Sequence, residues 1–179
     1  MIRRFWATVL TIVAAFWIVA LAGLPVYVFP QVDEVPKSEA VFVLGPPSDA
    51  RLALAQQLRD GGFAERIVIS VQPANGQTAE NIALCREDGV VCKVADPYTT
   101  RGEVLMMTEQ RAASVIVVTA MPHMARTRYL FDKCYPADFT VVAAERPSAI
   151  ALWAYQYVYQ SLAFVKAVFQ PCAGEALDR

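Results

Sequence analysis

The residues able to do chemistry in this chain are few, and they come just after apolar runs. Arg51 follows Ala40-Val41-Phe42-Val43-Leu44-Gly45. Thr99-Thr100-Arg101-Gly102-Glu103 follows Val90 to Val94, and Thr119 ends the run Ser114 to Thr119. His123 and Arg126 come directly behind it, three residues apart and so neighbours on one helical face. Guanidinium groups grip phosphate oxygens through paired hydrogen bonds. An imidazole with an ordinary pKa near 6.5 serves as donor or as general acid/base. The set therefore reads as a site for a small anion. Arg51 and Arg126 would hold it, and Gly45, Thr100 and Thr119 would complete the ligand-binding group. His123 and Glu103 are the candidate catalytic pair, with Glu103 orienting His123 or accepting a substrate proton. Transfer or hydrolysis is the chemistry such a set could serve. Plainer readings stand beside these. Thr100-x-x-Glu103 fits a helix capping box, Arg126 could pair with Glu103 or Asp96, and Arg128 reads as solvated.

Other chemistries lack their residues. The chain has no phosphate loop ending in Gly-Lys-Ser or Gly-Lys-Thr, no Gly-x-Gly-x-x-Gly, no Gly-x-Ser-x-Gly and no His-Glu-x-x-His. With one histidine and no Cys-x-x-Cys, no metal site and no cofactor are expected. Sixteen Lys+Arg against seventeen Asp+Glu leave a net charge of −1, so nucleic acid is not an expected partner.

These residues need elements to hold them. Five short runs are continuously apolar rather than alternating: Ala40–Leu44, Arg66–Val71, Val90–Val94, Ser114–Thr119 and Phe139–Ala143. That pattern marks strands buried on both faces, as in a parallel sheet. Helical patterns fill the gaps over Ala50–Asp60, Gln77–Glu87, Thr100–Ala112, Pro122–Cys134 and Ser148–Phe169. Gly61-Gly62 stops the first of these, and Pro122 suits a first helical turn. Alternating strand and helix predict an α/β fold, a three-layer sandwich around a mostly parallel, Rossmann-like sheet. In such a sheet the polar residues above fall at the carboxyl edge of the strands, where ligands bind.

The 179 residues are 56% hydrophobic and only 18% charged, against about 25% charged in an average soluble domain. The excess sits at the front. After Arg3 and Arg4 the chain is uncharged from Phe5 to Val28, long enough to span a bilayer core of about 20 helical residues. Residues 1–30 thus form an expected transmembrane helix, ended by Pro25 and Pro30, and residues 31–179 the α/β domain. The arginine pair favours a cytoplasmic N-terminus, giving a single-pass plasma-membrane protein with its domain outside and lipid as a partner. The rival is a cleaved signal peptide, with Phe5–Val19 as its apolar core and Ala20-Leu21-Ala22 as its cleavage site. Cys85, Cys92, Cys134 and Cys172 are an even set for an oxidising compartment. Closeness in sequence favours Cys85–Cys92 and Cys134–Cys172; four buried free thiols are the alternative.

At its polar elements the chain resembles the bacterial YdcF/SanA/ElyC family of envelope-associated proteins. The matching pieces are Ala40–Gly45, Arg51, Thr99-Thr100-Arg101-Gly102-Glu103 and the stretch Val117–Arg128 with its His123-x-x-Arg126. The tail Trp153–Gln160 resembles membrane-anchored actinobacterial members. The resemblance covers about Ala40 to Ala143. It implies a Rossmann-like fold and a place in cell-envelope or peptidoglycan-precursor biology, so the expected ligand is a small phosphorylated or pyrophosphorylated precursor. S-adenosylmethionine, associated with a cytoplasmic member, suits a domain outside the cell poorly. Pro46-Pro47 and Val71-Gln72-Pro73 stand where members carry glycine-rich turns. That departure favours the alternative of a non-catalytic scaffolding or regulatory module of envelope assembly.

Overall fold

A computed structural model describes residues 2–31 and 33–172. Residues 173–179, included in the expected domain, lie outside the described residues, as do Met1 and Val32. Five strands form one parallel sheet in the order β3-β2-β1-β4-β5. They are β1 (Ala40–Val43), β2 (Arg66–Ser70), β3 (Val90–Lys93), β4 (Ser114–Ala120) and β5 (Asp138–Glu145). Between them run α2 (Asp49–Asp60), α3 (Thr100–Glu109) and α4 (Met124–Cys134). Before the sheet lies α1 (Ile2–Gly23), and after it α5 (Ile150–Phe169). The fold is the expected α/β sandwich with helices on both sides of the sheet.

Side-chain alternation explains the three layers. Successive strand residues point to opposite faces. Phe42 and Leu44 join Val68, Val117 and Val141 on the face covered by α3 and α4, where Val104, Met107, Leu130 and Phe131 meet them. Val41 and Val43 join Ile67, Ile69, Ile116 and Val118 on the opposite face, against Ala55 and Leu58 of α2. A strand buried on both faces cannot alternate with polar residues, which is why the five runs are apolar throughout. Central β1 pairs with β2 on one side and β4 on the other, with Val43 opposite both Ile69 and Val118. The order in which strands are added reverses between β1 and β4, so the turns after these two parallel strands diverge and open a crevice at the carboxyl edge.

Three expectations need correction. Residues 77–87 do not form a helix: only the 3₁₀ turn Ala83–Arg86 is helical. Its buried apolar residues, Ile82 and Leu84, are two apart, a spacing that no helical face can bury together. The Cys85–Cys92 bridge pins this turn to β3. Arg128 is tied rather than solvated; it donates to the Gln31 carbonyl at 2.6 Å and to Asp33 at 2.7 Å, fastening the linker to α4. At Pro25 the α-helix gives way to a wider π turn, Leu24–Val28, so the apolar segment continues to Val28.

Ile2–Val28 is long and apolar enough to cross a membrane, and it stands almost wholly outside the core. Cys134–Cys172 closes the second disulfide and ties the end of α5 to the end of α4. Lys133 reinforces that junction by donating to the carbonyls of Val168 and Gln170 at 3.0 and 2.9 Å.

Candidate functional site

The carboxyl edge carries a cavity of about 740 Å³. Gly45 and Arg51 border it from the β1 side, Thr100, Arg101 and Glu103 from the start of α3, and His123 and Arg126 from the start of α4. Gln156, Tyr159, Gln160 and Lys166 of α5 close it on the outer side. The volume falls within the range of small-molecule sites, roughly 300–1,000 Å³. Six of the seven expected site residues line it. Thr119 is the seventh, wholly buried behind His123.

His123 sits at the floor, 8% exposed. Its Nδ1 is 3.0 Å from the Thr119 hydroxyl and its Nε2 is 3.4 Å from that of Thr100. Two threonines, not Glu103, hold the ring. Arg126 donates from Nη1 to the Thr100 oxygen at 3.1 Å and from Nε to Gln160 Oε1 at 3.0 Å. Gln160 donates in turn to Gln156 Oε1 at 3.1 Å. Arginine can only donate. Thr100 accepts from Arg126, so its own hydroxyl proton can go to Nε2; in that tautomer Nδ1–H donates to Thr119. Burial, then the charges of Arg126 and Arg51, hold the His123 pKa well below its ordinary 6.5. The ring is therefore a neutral imidazole at neutral pH.

Glu103 is 4% exposed and accepts from the Gly45 amide through Oε1 at 2.6 Å. Burial raises its pKa above 4.5, opposed by the Gly45 amide, the Ser70 hydroxyl and the two arginines. The residue thus joins the first turn of α3 to the end of β1. Gly45 is fitted to this place. A Cβ there would come within 2.8 Å of the Ser70 carbonyl and 3.0 Å of the Tyr98 hydroxyl. The capping box does not form as spaced. Thr99, one residue earlier, is the cap and accepts from the Gly102 amide at 3.2 Å, leaving Thr100 for the cavity. Gly102 lets the helix start close to the loop before it, since a Cβ would overlap the Pro97 carbonyl.

The two arginines differ. Arg51 is neutralised: Nε meets Glu145 at 2.8 Å, and Nη1 donates to the carbonyls of Leu44 and Pro46 at 3.0 Å each. It fastens the ends of β1 and β5 together. Arg126 is largely buried, burial lowers its pKa, and among the described residues it forms no ion pair. Sequence reasoning passed over Glu145, Gln156 and Gln160. The glutamines had one signal, their spacing of four in an otherwise apolar helix, which places both on one face.

Fold and site together define an all-parallel α/β protein whose topological switch point carries a cavity lined by Arg51, Arg101, Arg126 and Lys166 among apolar side chains. Compared with known proteins, the chain matches no family model, no curated protein and no solved structure.

Proposed function

We propose that this is a membrane-anchored, extracytoplasmic binding domain of the YdcF/SanA/ElyC type, which takes a small phosphate-containing ligand at the carboxyl edge of its sheet. A phosphorylated envelope precursor is the ligand class in view. The observation that carries the reading is Arg126. A guanidinium largely removed from water costs free energy unless a charge answers it, and here its partners are the neutral Gln160 and Thr100. A phosphate oxygen in the cavity would supply that charge with paired hydrogen bonds. Arg101 and Lys166, which also line the cavity, add to the positive potential. The two disulfides support a domain in an oxidising compartment. If the site is catalytic, neutral His123 serves as proton acceptor through Nε2, and Thr100 is the group that must give way.

The test is a thermal-shift panel on the full chain in detergent. It holds inorganic phosphate, pyrophosphate, nucleotides, sugar phosphates, soluble precursor headgroups and S-adenosylmethionine. A ligand at 100 times its Kd should stabilise by about 2.7 kcal/mol, a rise in Tm of about 5 °C or more. The rise should vanish in Arg126→Gln and persist in Arg59→Gln, whose guanidinium pairs with Glu87 away from the cavity. One observation favours the scaffolding alternative: Pro46 and Pro47 bring no amide N–H to the turn after β1, where α/β proteins often cradle phosphate. A flat panel from a folded protein would support that reading.

A further inference from the structure

The helix α5 is built inside out for a protein in water. Its inward face carries the polar groups: Gln160 is 4% exposed, and Gln156 and Ser161 are half-buried. Its outward face is a stripe of Ala151, Tyr155, Val158, Leu162, Val165 and Phe169, all exposed, with Leu162 at 69% and Phe169 at 81%. The spacing of three and four puts these residues in one line along the helix. Lys166, at the edge of the stripe, is the only charged residue in the element. A surface helix normally turns its apolar stripe to the core and its polar face to solvent.

What covers the stripe is indicated by where α5 touches the rest of the chain. Tyr157 donates to the Ala20 carbonyl of α1 at 2.6 Å, and its ring meets that of Tyr27 edge-on at 5.0 Å. Ser161 lies 3.2 Å from the Tyr27 hydroxyl. Gly23 is the notch that admits Tyr157, since a Cβ there would overlap its phenol. If Arg3 and Arg4 stay among headgroups, about 20 residues of hydrocarbon core counted from Phe5 end near Leu24. The contact at Ala20 and Gly23 is therefore at the outer edge of the hydrocarbon layer. Aromatic residues concentrate at that depth, and α5 carries Trp153, Tyr155, Tyr157 and Tyr159.

We propose that α5 lies in the outer membrane–water interface, its stripe from Ala151 to Phe169 against the lipid. This rests on α1 spanning the membrane. Interfacial helices bury an apolar face in the boundary between headgroups and acyl chains, and a lysine at the edge reaches up to phosphates. The stripe thus meets the same bilayer that α1 enters. Tyr159, Leu162 and Lys166 belong to both the helix and the cavity wall, so the rim of the site stands at the membrane surface.

Single-tryptophan reporters in the full chain, reconstituted into phosphatidylcholine–phosphatidylglycerol vesicles, test this. The background carries Trp6→Phe, Trp17→Phe and Trp153→Phe. Into it go Val158→Trp or Leu162→Trp on the stripe, or Gln56→Trp on the exposed face of α2. A fourth protein keeps only Trp17. Brominated acyl chains should remove most of the emission from Trp17 and from both stripe positions, and little from position 56. Acrylamide in the water should do the reverse. Trp17 quenched by bromolipid with both stripe positions open to acrylamide overturns the interfacial placement while leaving the anchor intact. Stripe positions shielded from both quenchers in a protein that runs as a dimer overturn it in favour of a second copy of this chain. Trp17 unquenched by bromolipid removes the anchor reading, and the placement of α5 with it.

Discussion

His123 and Glu103 show how two buried titratable groups lining one cavity impose opposite pH dependence on one fold. The His123 pKa is depressed when folded and near 6.5 when unfolded. Below 6.5 the unfolded chain therefore binds more protons, and the stability this residue contributes is lost as pH falls. Glu103 has a folded pKa raised above 4.5. Its contribution is complete below 4.5 and is lost as pH rises through the folded value. We expect Tm against pH to separate the two. His123→Gln should lose the destabilisation seen on acidifying below pH 6.5, and Glu103→Gln should gain on wild type as pH rises above 4.5. Parallel curves for all three proteins would show that neither side chain titrates as its burial requires. Glu103→Gln keeps an acceptor for the Gly45 amide, so its fold should survive.

At the scale of the element, the placement of α3 and α5 decides whether the cavity exists. Gly102 lets α3 begin against Pro97, and that start aims Thr100 and Glu103 at the site. Gly102→Ala forces the helix off the loop. Overpacking of this kind typically costs about 1–3 kcal/mol, which chemical denaturation would read. Weaker ligand binding should accompany it, because the cap and the cavity residues move together. The second element is held by Cys134–Cys172, which closes a loop of 38 residues, against 7 for Cys85–Cys92. Loop-closure entropy then predicts a loss of about 4 kcal/mol for the paired Cys134→Ser and Cys172→Ser change, and about 2 kcal/mol for Cys85→Ser with Cys92→Ser. Equal losses in urea titrations would mean that strain or residual structure, not loop length, governs both bridges. The longer bridge should also matter more to the site, since α5 forms its outer wall.

Taken whole, the molecule joins an apolar helix that can cross a membrane to a domain whose cavity is walled on one side by α5, the helix that touches α1. Arg3 and Arg4 at the start of α1 argue for an N-terminus inside and a domain outside. Protease added to intact spheroplasts should then cut a C-terminally tagged protein between residues 33 and 172, and both disulfides should form without added oxidant. Full protection, with thiols free to react, would put the domain on the cytoplasmic side.

Much of this was legible in the residues alone. The five strands and their parallel order of burial could be read because a strand covered on both faces must be apolar throughout. The membrane-length helix could be read because an uncharged run has no other cheap solvent. The residues of the site could be gathered because every strand of a parallel sheet points its carboxyl end the same way. What each residue does there was decided only in three dimensions. Arg51 and Arg126 are the same side chain, yet Glu145, 94 residues away in sequence, forms an ion pair with one, while among the described residues no carboxylate bonds the other. Thr99 displaced Thr100 as the helix cap by a single residue, and that shift freed Thr100 to join His123 to Arg126. Gln160 reached the site because α5 folds back over the edge of the sheet, and a linear pattern has no record of which element covers which. Local periodicity follows from the backbone and so is written along the chain. Pairing of charges and hydroxyls depends on distances between elements, which packing alone sets.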